Sequence, residues 1–474
     1  MLFTSPTFLI LFLPATVAAY WIAVGRGRLI VLLIASYVFY LSWNPAYGAL
    51  LATSTVVNYV IARRLPTAAR PRGLLAIGVG FNLTVLGFFK YIGLFTKSVA
   101  QLINTLGLAH TGSFDGLQVL LPLAISFFTF EMISVQIDVY RGDVRMGGFL
   151  TFATYKAYFP KLISGPITRY RELAPQLERP APLDLDRFQS GIALFTVGMV
   201  KKLVFADNLS TLADAAFNNP RTSSAGTALV GILAFGFQIY FDFAGYTDMA
   251  RGASRLLGLE LPPNFRFPYA ATSPTEFWQR WHMTLSRWLR DYLYIPLGGN
   301  RHGKARTYLN LMITMALGGL WHGAAWHYLV WGALQGSYMV VSHVLRGRVS
   351  SPDRLLRALG WLSTMIAVFA AWTFFRAATV GQALELLGRL THPIDLAAPT
   401  ALFSSPAVRV VLVGLICLLL INVLGARIAP AARRFWIAHA VLRPLVLASG
   451  SLICWTAADV LSRSATVPFI YFHF

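Results

Sequence analysis

The stretch Ser273–His327 decides how the chain is read. It begins SPTEFWQRWHMTLSRWLRDYLYIPLGGNR (273–301), passes through a short basic loop, and ends LNLMITMALGGLWHGAAWH (309–327). The first half opens on a helix start: Ser273 as N-cap, Pro274 at the first helical position, Glu276 three residues after the cap. On a helical wheel Trp281, Leu285, Trp288, Leu289 and Tyr292 fall within roughly 80° of Trp278, while Arg280, Arg287, Arg290 and Asp291 fall on the other side. The expectation is one amphipathic helix lying in a membrane interface, tryptophans in the apolar phase and arginines in water. His282 falls at about 40°, on the edge of the apolar stripe. The second half is an apolar span that ends at a second histidine, His322.

Working outward, the composition is that of a membrane protein. Of 474 residues, 56% are hydrophobic and 12% charged, and the mean hydropathy is +0.59. A soluble chain carries about twice that charge fraction. The net charge of +21 does not indicate nucleic acid, because the arginines gather in short loops between apolar runs. Cys417 and Cys454 both lie in apolar runs and give neither a disulfide framework nor metal-ligand spacing.

Residues 4–24 read as a span rather than a cleaved leader, since no charge precedes them. Further spans are expected at 28–43, 45–62, 73–96, 117–139, 188–206, 225–250, 307–322, 324–345, 361–377, 408–426 and 443–463, giving about 11 or 12. Arg26 and Arg28 in the first loop, none in the second, and Arg63, Arg64, Arg70 and Arg72 in the third place odd loops inside and the N-terminus outside. Residues 146–166 are too broken by Gly147, Gly148, Pro160, Gly165 and Pro166 for a clean span and read as a re-entrant or interfacial element buried against protein. No internal repeat or separate soluble domain is visible, so residues 1–474 are expected to form one membrane domain.

Ionisable residues at membrane depth are costly and point to function first. Lys201 and Lys202 lie near a span end and are expected to snorkel. Lys90 and Glu131 are expected as a buried pair. Asp242 and Asp248 lie in a glycine-containing helix, as a polar network or as site lining. His322 stands in GGLWHGAAW, where Gly318, Gly319 and Gly323 either allow close helix packing or clear space for a substrate to reach the ring. His327 is expected to be structural, because on a regular helix it points away from His322. No third ligand at suitable spacing accompanies His282 and His322, so no metal is expected. His110 and Asp115 match a two-position acyltransferase spacing in an outward loop without supporting blocks, and the match is set aside. There is no GxSxG elbow, P-loop or GxGxxG in strand–helix context.

Several blocks occur in order along nearly the whole chain: MLFTSPTFLILFLP, YFPKLISGPITRY, YFDFAGYTDMARG, NFRFPY, the two halves of Ser273–His327, and the ending FIYFHF. In this the sequence resembles the membrane-bound O-acyltransferase family, in its bacterial alginate O-acetylase branch. The branch usually has asparagine where this chain has Ala325. The resemblance implies an all-α polytopic fold, a ring of about 11 tilted helices with interfacial and re-entrant helices around a cytoplasmic funnel. It implies that His322 is the catalytic histidine and His282 the second family histidine. Around them the expected substrate- and donor-lining residues are Trp281, Arg287, Asp291, Asn300, Arg301, Asp242, Trp321 and Trp326. The basic surface of Arg280, Arg287, Arg290, Arg301 and Lys304 either attracts the phosphates of coenzyme A or is topology signal alone.

O-acyl transfer needs a base that takes a hydroxyl proton, and imidazole suits that task. The expected function is an inner-membrane O-acetyltransferase that uses acetyl-coenzyme A, or another acyl thioester in the cytoplasm, as donor substrate for exopolysaccharide modification. It has no bound cofactor, membrane lipid around it, and an extracytoplasmic acetyltransferase as partner protein. Alternatives are D-alanyl or other acyl transfer to teichoic acid or another cell-wall polymer from a carrier-protein thioester and, more distantly, a transporter or flippase, against which the lack of repeats weighs.

Overall fold

The computed structural model describes residues 1–107, 116–117, 119–345, 354–395, 449–452, 456 and 469–470, and every regular element among them is helical. His110, Asp115, Cys417, Cys454, the expected span 408–426 and most of 443–463 lie outside the described residues. In chain order the α-helices are α1 (Leu13–Ile22), α2 (Arg26–Leu41), α3 (Ala46–Arg64), α4 (Pro71–Leu86), α5 (Ile92–Thr105), α6 (Ile125–Arg141), α7 (Phe149–Ala157), α8 (Phe159–Leu162), α9 (Tyr170–Glu178), α10 (Leu185–Val200), α11 (Asp207–Phe217), α12 (Ala225–Leu256), α13 (Pro274–Arg280), α14 (Met283–Leu289), α15 (Gly303–His322), α16 (Trp326–Leu345), α17 (Arg354–Arg376) and α18 (Val380–Arg389). π-helical turns lie at Thr7–Phe12, Gly87–Tyr91, Lys201–Ala206 and Arg290–Tyr294. Such a turn carries one residue more than an α-turn and often sits where function is built.

Among the described residues three continuous helical stretches are long and apolar enough to cross a membrane by length and composition alone: Pro71–Thr105, Ala225–Leu256 and Arg354–Arg376. Large apolar side chains such as Ile22, Ile77 and Ile366 are exposed on the helices, as lipid contact allows. The expected span 117–139 begins later than its hydropathy indicates. Pro122 lacks an N–H, Ala124 turns left-handed at φ 69°, and α6 starts only at Ile125.

The described residues divide into two compact units, one within Met1–Leu183 and Leu257–Ser351, the other within Asp184–Leu256 and Pro352–His473. In the first, residues 151–170 are buried throughout, in keeping with the broken element expected there. Tyr158 (φ −47°, ψ 105°) separates α7 from α8. Lys161, on α8, pairs with Glu131 on α6. The expected Lys90–Glu131 pair is therefore replaced by Glu131–Lys161, and Lys90 goes elsewhere.

In the second unit α10 and α12 meet through glycines: a Cβ on Gly198 would overlap the backbone of Gly245 and Met249. Lys202 does not snorkel. It is buried between Asp207 (2.8 Å) and Asp242 (2.7 Å), whose other oxygen accepts from the Ile470 N–H at 2.9 Å. Lys201 pairs with Asp248 at 2.5 Å. In a low-dielectric interior two carboxylates stabilise the ammonium in place, and removing one partner of such a pair costs about 3–5 kcal/mol.

Candidate active site

The site is built in the first unit from two helix breaks. The expected N-cap forms: Ser273 Oγ accepts from Glu276 N at 3.2 Å. Glu276 turns back to Thr272 N (2.7 Å) and Thr272 Oγ1 (2.9 Å) and pairs with Arg280 at 2.6 Å. The expected continuous helix does not form. α13 ends at Arg280, Trp281 is extended, and His282 is left-handed at φ 40° before α14 begins.

The reason lies upstream, in NFRFPY. Arg266 N donates to Arg280 O and Met283 N donates to Asn264 O, each at 2.9 Å. Asn264 Oδ1 accepts from Thr284 Oγ1 at 2.6 Å and from Thr284 N at 3.3 Å, capping α14 in place of a residue at its own N-terminus. A left-handed non-glycine residue costs of order 1–3 kcal/mol, and this bracing offsets it. The break removes the wheel position assigned to His282. Instead the imidazole is carried wholly inside, at 0% exposure.

The second break falls between α15, which ends at His322, and α16, which starts at Trp326. Here the glycines serve packing, not access. A Cβ on Gly319 would overlap Tyr328 O, and one on Gly323 would overlap the Tyr328 ring. With their hydrogen side chains the two helices close into a hairpin, and His322 is buried at its turn.

The two imidazoles stand 6.4 Å apart between ring centroids. The Trp321 ring is 4.9 Å from His322 and 6.0 Å from His282, and the Trp331 ring meets His322 edge-on at 5.2 Å. Trp321 in turn packs on Phe127 (5.1 Å) and Phe130 (5.3 Å), and Phe130 stacks on Trp288 at 3.7 Å. Two imidazoles are thus held close together beside the Trp321 indole. Among the described residues no cluster of three His, Cys, Asp or Glu side chains is placed to hold a metal.

The remaining expected residues are dispersed. Trp281 is buried against Phe265 (5.0 Å) and Phe277 (5.5 Å). Arg287 faces Glu172 at 3.7 Å. Asp291, on a π-turn, is held by Arg169 (2.6 Å) and Arg290 (2.7 Å). Burial pushes its carboxyl up, but the hydrogen bonds and charges of Arg290 and Arg169 outweigh that and hold it below the ordinary carboxylate value. Asn300 and Arg301 are exposed in the loop before α15, and Trp326 is 56% exposed. Asp242 belongs to the Lys202 cluster of the other unit. His327 packs on Tyr328 at 4.0 Å.

A cavity of about 450 Å³ runs between α13–α14 and α15–α16, lined by Trp278, Met283, Arg287, Arg290, Tyr294, Met315, Met339 and His343 among others. Neither catalytic candidate lines it, although Met283 adjoins His282.

Sequence reasoning missed Asn264 and Thr284, which brace the break, and gave Lys90 the wrong partner. Lys90 Nζ lies 2.5 Å from Trp321 O and 3.3 Å from His322 O. The available signal for Lys90 was its depth in an apolar run.

Helices with buried charges carry a histidine pair packed against indoles at two helix breaks. The chain belongs to the membrane-bound O-acyltransferase family: the family model matches residues 81–381, which include both histidines. It is accordingly an acyltransferase and a multi-pass membrane protein. It is 44% identical over 384 residues to a probable alginate O-acetylase of Pseudomonas aeruginosa, covering 80% of this chain and 72% of that one. It is 36% identical over 427 residues to a peptidoglycan O-acetyltransferase of Helicobacter pylori (82% and 79%). It is 30% identical over 242 residues to a teichoic acid D-alanyltransferase of Streptococcus thermophilus (48% and 58%).

Proposed function

We propose that the chain is an inner-membrane O-acetyltransferase that moves acetyl groups from a cytosolic thioester, acetyl-coenzyme A, toward an exopolysaccharide, with His322 as general base. The observation that carries the reading is the buried pair His282–His322, 6.4 Å between rings, in a chain 44% identical to a probable alginate O-acetylase. An imidazole nitrogen of His322 takes the proton of an acceptor hydroxyl as its oxygen attacks the thioester carbonyl. The C–O bond forms, the C–S bond breaks, and the imidazolium returns the proton to the leaving thiolate. His282 holds the carbonyl oxygen as charge develops on it. Arg287 and Arg290, which line the neighbouring cavity, supply cations for the donor's phosphates.

The reading includes a ring of about 11 helices with a cytoplasmic funnel and an N-terminus outside, supported by the family and by the arginine-rich odd loops. Its acetyl group passes to an extracytoplasmic acetyltransferase that modifies the polymer. The similarity to the peptidoglycan O-acetyltransferase favours one second reading, an acceptor in the cell wall. D-alanyl transfer is supported over a smaller share of the chain. Mass spectrometry of exopolysaccharide and cell wall, with and without this gene, separates them. Loss of acetyl ester from the exopolysaccharide alone supports the first reading, and loss from peptidoglycan, or of D-alanyl ester, replaces it.

A further inference from the structure

We propose that Lys90 and Tyr91 are positioning residues that clamp the end of α15 and thereby fix the His322 imidazole; the inference rests on His322 being the base. α15 stops at His322, and Gly323 runs on in extended conformation (φ −162°, ψ 148°). A helix that stops leaves its last four carbonyls without intrahelical partners, and inside a membrane protein water does not supply them.

One π-turn, Gly87–Tyr91, supplies partners for three of them here. Tyr91 Oη donates to Leu320 O at 2.7 Å. Lys90 Nζ donates to Trp321 O at 2.5 Å and to His322 O at 3.3 Å. Three consecutive carbonyls, the last of them belonging to the catalytic candidate itself, are thus held by two adjacent side chains more than 200 residues away in sequence.

Two features make this more than ordinary capping. An ammonium has three N–H donors, and the third goes to Ser126 Oγ at 3.1 Å. Ser126 O in turn accepts from Trp321 Nε1 at 3.4 Å, so the lysine ties together α6, the indole beside both imidazoles, and the helix end. Lys90 spends its donors on these three protein acceptors. Its part is to place other groups. A cation at a helix C-terminus is also favourable toward the helix dipole.

The test uses inverted membrane vesicles from cells expressing the full chain with its neighbouring genes. They are given [14C]acetyl-coenzyme A, and label is counted in polymer at varied donor concentration in H₂O and D₂O. Lys90→Met keeps the stem and removes the donors. The expected result is a maximum rate lower by about 10²-fold at an unchanged half-saturating donor concentration. The solvent isotope effect is larger than in the wild type, because a misplaced imidazole makes proton removal limiting. Mere loss of folded protein lowers the rate and leaves the isotope effect where it was, which overturns the proposal. A raised half-saturating concentration with an unchanged maximum rate overturns it too, by making Lys90 a donor contact. If Lys90→Met does not accumulate, Tyr91→Phe decides on the same readouts, since it removes one hydroxyl. His322→Ala runs alongside. Activity retained there removes the base reading itself, whereas an inactive His322→Ala beside wild-type kinetics in Lys90→Met and Tyr91→Phe defeats the clamp alone.

Discussion

His282 and His322 are both buried and share Trp321 as a neighbour, so each is expected to act through a well-defined place rather than through exposure. Removing one group that stabilises a developing oxyanion costs about 10²–10³ in rate. His282→Ala is therefore expected to lower polymer labelling in vesicles by that factor at normal protein level, and a rate within about twofold of wild type contradicts its role. Asp291 gives a pH test. Its carboxyl is held below its ordinary value in the fold, so its ion pairs stabilise the fold above about pH 4 and are lost as pH falls through the lowered value. The unfolding midpoint of Asp291→Asn is expected below that of wild type at about pH 6, the gap narrowing toward about pH 3. A gap constant with pH contradicts this. At this scale the sequence was partly legible. Both histidines stood out by type and setting, and the Ser273 cap formed as its spacing indicated. Lys90 was misassigned because its partners are backbone carbonyls of Trp321 and His322, which no residue pattern advertises.

At the level of elements the lesson is in the breaks. A helical wheel assumes an unbroken helix, so 273–292 could be read only as one amphipathic face. The backbone hydrogen bonds with Asn264 and Arg266 that split it come from outside the window. π-turns are equally hidden, since one extra residue hardly disturbs an apolar run. Of the glycines near His322, Gly319 and Gly323 serve packing against Tyr328. The Asn264 brace yields a prediction. Asn264→Ala removes the acceptor of two Thr284 hydrogen bonds and is expected to destabilise the protein by about 1–3 kcal/mol. It is also expected to reduce acetyl transfer as His282 loses its fixed left-handed place. An unchanged unfolding midpoint together with unchanged transfer contradicts the account of this break.

For the whole molecule, composition alone established a polytopic membrane chain, because 12% charge leaves too little polar surface for a soluble body of this length. What composition could not show is how the buried charges are shared out. Lys161 goes to Glu131, and Lys202 to Asp207 and Asp242. Lys90 goes to the helix end at the site. These choices depend on which helices meet, and hydropathy carries no information about that. The same limit applies to the histidine pair, where two separate helix breaks bring one pair of rings together. The central claim is that His322 removes the acceptor's proton. The most direct measurement is the acetyl ester content of exopolysaccharide from cells carrying His322→Ala at wild-type protein level. The account predicts polymer without acetyl ester; polymer acetylated as in the wild type would contradict it.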